Sequence, residues 1–411
     1  MRRFALAAAI IAASISAQSS AQNVITLEEA LERTGVGDVD DRPRSSNPRV
    51  YGPQSEEEAA RAAIDQARLR PNPELSFEAE NFAGSGAFSG LRSTEYTLGI
   101  GQQIELGGKR RARVESAERA ARLAEISSDL ARADLALAVR ERFIKAVAAA
   151  QRLELATQIV ERNRELARIA NVLVEVGREP PLRAMRAEAA LAEAVAELET
   201  ARADDLAARQ ALAALWVSDE PAPQVGLTFP SLMPLISPGE EPALQLRLAD
   251  ARSDLAAAEI VRERSLGVPD ITVSAGVRRF EERGDNAFIV GFSIPLPFGN
   301  RNQGSIAAAE ARSRGAQADA AINERDFRLE EARTRSQFLA ADRRAETLRA
   351  ASLPQADEAL RLVEIGYRNG RFPLIEVLAA SEARDAIREN LIQAEEQRDL
   401  LAARLIWLTT K

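Results

Sequence analysis

From residue 109 to residue 176 the chain runs for 68 residues without a proline or a glycine, rich in Ala, Leu, Glu and Arg. Such a stretch predicts one helical rod, about 100 Å long at about 1.5 Å per residue. The rod must reverse at Gly177-Arg178-Glu179-Pro180-Pro181, where glycine closes one helix and proline opens the next. A return helix over 181–216 covers about 54 Å, a proline-rich waist over 217–240 interrupts it, and a further helix over 241–266 adds about 39 Å. Outward and return lengths match, so a hairpin anchored at one end closes geometrically. Residues 306–365 form a comparable rod, interrupted only by Gly315 and Pro354.

The second rod belongs to a duplication. Pro73-Glu74-Leu75 recurs as Pro269-Asp270-Ile271 at an offset of 196, and Leu106-Gly107 recurs as Phe298-Gly299 at 192. Gly177-Arg178-Glu179-Pro180 recurs as Gly370-Arg371-Phe372-Pro373 at 193, and Leu215-Trp216 recurs as Ile406-Trp407 at 191. The same order at nearly the same spacing defines two halves, 22–216 and 241–411, joined by the linker 217–240; the period is far too long for a solenoid. Each half opens with two alternating segments, about 74–82 and 94–106 in the first and about 270–280 and 287–297 in the second. The helical hairpins follow over 109–216 and 300–409. Leu75, Phe77, Leu98, Ile100, Val273, Val290 and Phe292 carry the apolar phase of the alternation. Segments of about ten residues with this pattern suit tilted membrane β-strands or one half-solvated antiparallel sheet, and on the strands alone the soluble sheet is the simpler reading.

Composition removes most chemistry. Cysteine and histidine are absent, and methionine occurs only at Met1, Met185 and Met233. Thiol nucleophiles, imidazole bases, zinc fingers and haem ligation therefore have no residues to use, and neither a catalytic residue, a cofactor site nor a resident metal site is expected. Acidic side chains outnumber basic ones, 62 to 54, and aromatics make up 4%, which disfavours nucleic acid as a partner. Gly99-Ile100-Gly101 lacks the third glycine and the helix of a dinucleotide fingerprint. Asp38-Val39-Asp40-Asp41 lacks the spacing of a calcium loop and reads as a solvated acidic turn. Residues 1–3 are Met-Arg-Arg, residues 4–15 are apolar and residues 16–22 are small or polar, the pattern of an export signal cut after Ala21. No later window supplies the uninterrupted apolar run of a transmembrane helix, and no cysteine follows the cut to carry a lipid.

An exported chain with heptad-spaced rods could be a periplasmic coiled-coil adaptor or scaffold, but that reading leaves two apolar-faced strand pairs unexplained. Four strands cannot close a membrane barrel, since the smallest single-chain barrels have about eight, so other copies of the chain must complete it. Pro71-Asn72-Pro73-Glu74-Leu75, Ile104-Glu105-Leu106-Gly107-Gly108-Lys109-Arg110 and the duplicated Gly-x-x-Pro turns resemble the TolC superfamily of outer-membrane efflux proteins. The Glu-Leu-Gly-Gly-Lys-Arg run most resembles its CzcC-like heavy-metal branch. The resemblance covers nearly all of residues 26–408. It implies a mainly α fold with a small membrane β-barrel contribution: duplicated long α-hairpins and four β-strands per protomer, assembled as a homotrimeric channel. It also implies a location in the Gram-negative outer membrane, in contact with its lipid and extending into the periplasm. The function implied is that of a passive exit duct for cations or small toxic compounds. The partners implied are a periplasmic adaptor and an inner-membrane transporter of the resistance-nodulation-division class.

Within that frame, Gly177, Arg178, Pro180, Gly370, Arg371 and Pro373 are the expected adaptor-contact tips. Gly107 and Gly108 allow the bend between barrel and helix; Lys109, Arg110, Arg111 and Arg113 at its rim could form an anion or lipid-headgroup site, but read more simply as solvated charges. An acidic ring narrows the tunnel entrance in the superfamily. Here only Glu376 falls on it, because Ala379 occupies the next position, and the repeat mate of Glu376 is Arg183; the two either form a gating contact between neighbouring hairpins or are simply solvated on the outer faces of their helices. Residues 35–55 are rich in Gly, Asp and Pro where the family's first helix continues, so a shortened or disordered first helix is expected.

Overall fold

The computed structural model describes residues 24–36, 47–216, 221–234 and 242–411. The export signal and the acidic cluster at residues 38–41 lie outside the described residues. The elements are β1 (Val24–Ile25), α1 (Leu27–Arg33), α2 (Pro48–Arg68), β2 (Glu74–Glu80), β3 (Glu95–Ile104), α3 (Lys109–Glu175), α4 (Pro181–Ala213) and β4 (Gln224–Val225). The second half supplies α5 (Leu244–Leu266), β5 (Ile271–Phe280), β6 (Asp285–Ser293), α6 (Gln303–Thr347), α7 (Leu353–Arg368) and α8 (Leu374–Leu408). A π-helical turn, Leu348–Ser352, joins α6 to α7.

The first helix is indeed short: α1 spans seven residues, capped at its start by the Thr26 hydroxyl, and ends before Gly35 at a φ of 73°. Helix nevertheless returns within residues 35–55, because α2 begins at Pro48. Asn47 explains the restart. Its side chain accepts from the Arg49 N–H at 3.1 Å and donates to the Leu215 carbonyl at 2.8 Å, capping α2 and fastening it to the end of α4.

β2, β3, β5 and β6 form one antiparallel sheet in the order β2-β3-β5-β6. Directly opposed residues share a face, so register assigns the two faces without ambiguity. Leu75 opposes Ile100, Phe77 opposes Leu98, Leu98 opposes Val277, Ala275 opposes Val290 and Val273 opposes Phe292. All seven residues of the expected apolar phase therefore lie on one face, joined by Val277 and Phe288. That face is bare within the protomer: Phe288, Val290 and Phe292 are 91%, 80% and 78% exposed. The other face carries Glu74, Ser76, Glu78, Glu80, Thr97, Ser274 and Arg278, with Gly99 directly against Gly276. A Cβ on Gly276 would stand 2.7 Å from the Leu98 carbonyl oxygen, so the two backbones need glycine to approach here.

β6 stops at Ser293, short of the expected 297, because Pro295 and Pro297 have no N–H to give to a ladder. β3 stops at Ile104 because the Leu106 N–H turns to the Asp270 carboxylate instead, at 3.0 Å.

Below the sheet, α2, α3, α5 and α6 descend side by side. Their cores are built largely of alanine, as with Ala146 and Ala148 of α3 and Ala345 of α6, all fully buried. Small side chains let the helix axes come close. Halfway down, Ile25, Val50, Val139, Phe143, Leu212, Leu215, Trp216 and Val225 form the largest apolar cluster. The parallel pair β1–β4 closes over it.

Replacing Val290 by Arg puts a charge on the bare apolar face. It should cost about 2–4 kcal/mol if that face meets hydrocarbon at mid-depth, and lower the amount of protein recovered from outer-membrane fractions. Arg at Ser274, on the opposite face, should leave that amount unchanged.

Candidate functional site

The strand-to-helix joint after β3 is built on two glycines. Gly107 and Gly108 both adopt left-handed backbone, with φ of 65° and 73°. A Cβ on Gly107 would stand 2.6 Å from that of Val268, so both backbone shape and space require glycine. The turn delivers Lys109 onto Asp270, Nζ to Oδ1 at 2.7 Å, with both side chains mostly shielded. Asp270 also accepts from the Leu106 N–H at 3.0 Å and from Gln103 Nε2 at 2.8 Å. Partial burial opposes ionisation of Asp270, but the Lys109 ammonium and these two donors outweigh it and hold the carboxyl below its ordinary range. Since Asp270 leads into β5, one pair locks the exit from β3 to the approach to β5. Arg113 performs the matching task on α2, donating to the Ala67 and Leu69 carbonyls at 3.0 and 2.9 Å while pairing with Glu105 at 2.6 Å.

Lys109 and Arg113 are therefore structural bolts, which corrects the reading of all four rim cations as solvated charges. Arg110 and Arg111 are exposed and make no ion pair among the described residues.

At the far ends of the rods the two reversals repeat bond for bond. The Arg178 N–H reaches the Leu173 carbonyl at 2.9 Å and the Arg371 N–H reaches that of Gly366 at 2.8 Å, while Gly177 and Gly370 take φ of 70° and 69°. Pro180 and Pro373 then sit in extended backbone as the caps of α4 and α8. The side chains break the symmetry. Phe372 folds onto Gly366, where a Cβ would lie 2.1 Å from its ring; its repeat mate Glu179 instead pairs with Arg183.

Leu374 and Val377 of the second tip are buried against Leu166, Ala170, Ala184 and Ala187 of the first, so the two tips form one packed body. Tyr367 stands beside Glu179 and Arg183; burial, then the Glu179 charge, pushes its phenol up, while Arg183 acts against them.

The expected Arg183–Glu376 contact is not made within the protomer. Arg183 finds Glu179 four residues away on its own hairpin, a partner that costs little chain ordering, and Glu376 on the first turn of α8 makes no ion pair among the described residues. The polar links between the hairpins lie elsewhere, between α3 and α8. Arg162 pairs with Asp385, and Arg152 reaches Glu389 and Glu396 at 2.9 and 2.8 Å. Nothing in the sequence distinguished these residues from the many other arginines and carboxylates of the rods.

A bare-faced four-stranded sheet fixed through glycine joints to rods about 100 Å long defines one protomer of an outer-membrane channel. The family model described as "Outer membrane efflux protein" matches residues 43–217 and 236–409, and the chain belongs to that family. It is an outer-membrane protein that extends into the periplasm.

The chain is 32% identical over 364 residues to the cobalt-zinc-cadmium resistance protein CzcC of Cupriavidus metallidurans, covering 87% of this chain and 83% of CzcC. It is 33% identical over 266 residues to the nickel-cobalt-cadmium resistance protein NccC of Alcaligenes xylosoxydans xylosoxydans, covering 63% of this chain and 60% of NccC. The outer membrane protein VceC of Vibrio cholerae has the same fold, with a TM-score of 0.72 at 21% identity over 93% of this chain and 95% of VceC.

Asp270→Asn removes the carboxylate from Lys109. Because the folded carboxyl titrates below its unfolded value, its contribution is complete above the unfolded pKa of about 3.9 and vanishes as pH falls through the folded one. The variant should lose about 1–2 kcal/mol in thermal unfolding at pH 7. The gap to the parent should narrow steadily once the pH drops below about 4.

Proposed function

We propose that three copies of this chain close a twelve-stranded barrel and a continuous helical tunnel, forming a passive exit duct for divalent metal cations. The observation that carries this reading is the sheet itself. It has one apolar face, one polar face and two unpaired edges, β2 and β6, which only other copies can satisfy in hydrocarbon. The metal assignment is supported by the likeness to CzcC and NccC, whose names attach them to cobalt, zinc, cadmium and nickel resistance. It also fits the polar face, where Glu74 and Glu78 have no cationic partner among the described residues, so the wall favours positive charge. No ligand-grade metal site is needed for passage, and no group of three or more candidate ligands occurs among the described residues.

In this reading an inner-membrane resistance-nodulation-division transporter supplies the cargo and a periplasmic adaptor docks on the tips. Gly177, Arg178, Pro180, Gly370, Arg371 and Pro373 form the exposed loops there. Val176, Leu182, Met185 and Phe372 add exposed apolar surface around them, the mixture of charged rim and apolar centre found in protein interfaces.

Deleting the gene should raise cellular cobalt, zinc and cadmium in metal-challenged cells, and restoring it should return them to the parental level; unchanged metal content with raised sensitivity to organic compounds would reassign the cargo. Exchanging Arg178 and Arg371 together for Glu should abolish most cross-linking to the adaptor while leaving the trimer and its outer-membrane yield intact. Cross-linking equal to the parent's would remove the tips from the interface.

A further inference from the structure

Under the sheet, between the end of α2 and the start of α3, lies an open groove of ≈ 1350 Å³. Its upper wall includes Ile104, which lies on the same face of β3 as Leu98 and Ile100 beyond the polar Gln102, so the groove begins where that face ends. Its floor is strongly basic. Arg68, Arg119 and Arg122 have carboxylate partners of their own, Glu118, Asp254 and Glu125, and Lys109 is taken by Asp270. Arg70, Arg110 and Arg111 make no ion pair or hydrogen bond among the described residues, and Glu115 is the one carboxylate in the groove without a cation. Three free guanidiniums face one free carboxylate, directly beneath an apolar edge.

That juxtaposition has a specific chemical complement. A guanidinium binds phosphate oxygens through paired N–H donors, and an apolar wall immediately above it suits an acyl chain. A ligand with a phosphate at one end and hydrocarbon at the other satisfies both, with the phosphate at the depth of Arg110 and Arg111 and the chains rising along Ile104. We infer that Arg70, Arg110 and Arg111 form a binding site for the headgroup of an anionic glycerophospholipid in the periplasmic leaflet of the outer membrane. The inference rests on the outer-membrane location and is independent of which cargo the duct carries. The site sits on the same turn that presents Lys109 to Asp270, so a bound headgroup would brace the joint between barrel and tunnel.

The test uses the purified full-length trimer in a neutral detergent, titrated with phosphatidylglycerol or phosphatidylcholine and read by native mass spectrometry. The parent should bind phosphatidylglycerol in preference, with the preference shrinking as salt is raised. The triple variant R70Q/R110Q/R111Q should lose about tenfold or more of it while binding phosphatidylcholine as the parent does. A charge-matched control, R325Q/R333Q/R343Q on α6, should keep the parental preference.

An unchanged preference in the triple variant would overturn the site. Equal competition by inorganic phosphate would make it a free-anion site and overturn the headgroup assignment. Dissociation of the triple variant into monomers without added lipid would show that a neighbouring copy fills the groove, which also overturns it. Failure of the parent to reach the outer membrane would instead count against the channel reading as a whole.

Discussion

Backbone hydrogen bonding in hydrocarbon is the constraint from which the rest of this structure follows. An unpaired N–H or C=O inside a bilayer costs several kcal/mol, about as much as the whole margin of stability of many domains, so a sheet with open edges cannot stay open there. A chain contributing only β2, β3, β5 and β6 is therefore committed to association. The prolines flanking the sheet, Pro71 and Pro73 before β2 and Pro295 and Pro297 after β6, limit that association in depth. They remove donors from both outer edges just below the strands, so in the proposed trimer a ladder between copies would end where the helices begin. The glycine joint and its Lys109–Asp270 lock then convert a tilted strand into a descending helix without leaving a buried polar group unpaired.

Duplication gives the halves the same skeleton and different mechanics. α3 runs unbroken for 67 residues, whereas its counterpart is interrupted by the π-helical turn at Leu348–Ser352. Pro354 accounts for this: without an N–H it cannot bond to the carbonyl one turn earlier, and a widened turn absorbs the mismatch. The tips show the same divergence, an aromatic ring on a glycine at one and an ion pair at the other, over identical backbone turns.

Between the hairpins the contact is unusually ionic. Arg162 and Arg152 of α3 pair with Asp385, Glu389 and Glu396 of α8, while within the second hairpin Arg384 reaches Asp357 of α7 and Arg398 its neighbour Asp399. At Asp399 burial pushes the carboxyl up, and the adjacent Arg398 at 2.7 Å works against that rise. A half-exposed pair such as Arg152–Glu389 contributes about 1 kcal/mol or less and weakens with salt, so it sets the register of the rods more than it holds them together. The holding is done by alanine-lined helix contacts and by the waist cluster around Phe143 and Trp216.

Much of the architecture was legible in the residue order because it depends on periodicity and punctuation. Gaps free of Gly and Pro mark the rods, Gly-x-x-Pro marks the reversals, and alternation with a 190-residue echo marks the strands and which of their faces is apolar. These are local properties of the backbone, and the register confirmed the apolar set of Leu75, Phe77, Leu98, Ile100, Val273, Val290 and Phe292 to the residue. Partner choice was not legible. That Lys109 belongs to Asp270, Arg113 to Glu105, Arg183 to Glu179 and Arg162 to Asp385 depends on which side chains the tertiary fold brings within about 3 Å, and every candidate arginine has several carboxylates at suitable sequence spacing. The restart of α2 at Pro48 escaped for the same reason: Asn47 works as a cap because Leu215, 168 residues away, presents its carbonyl there.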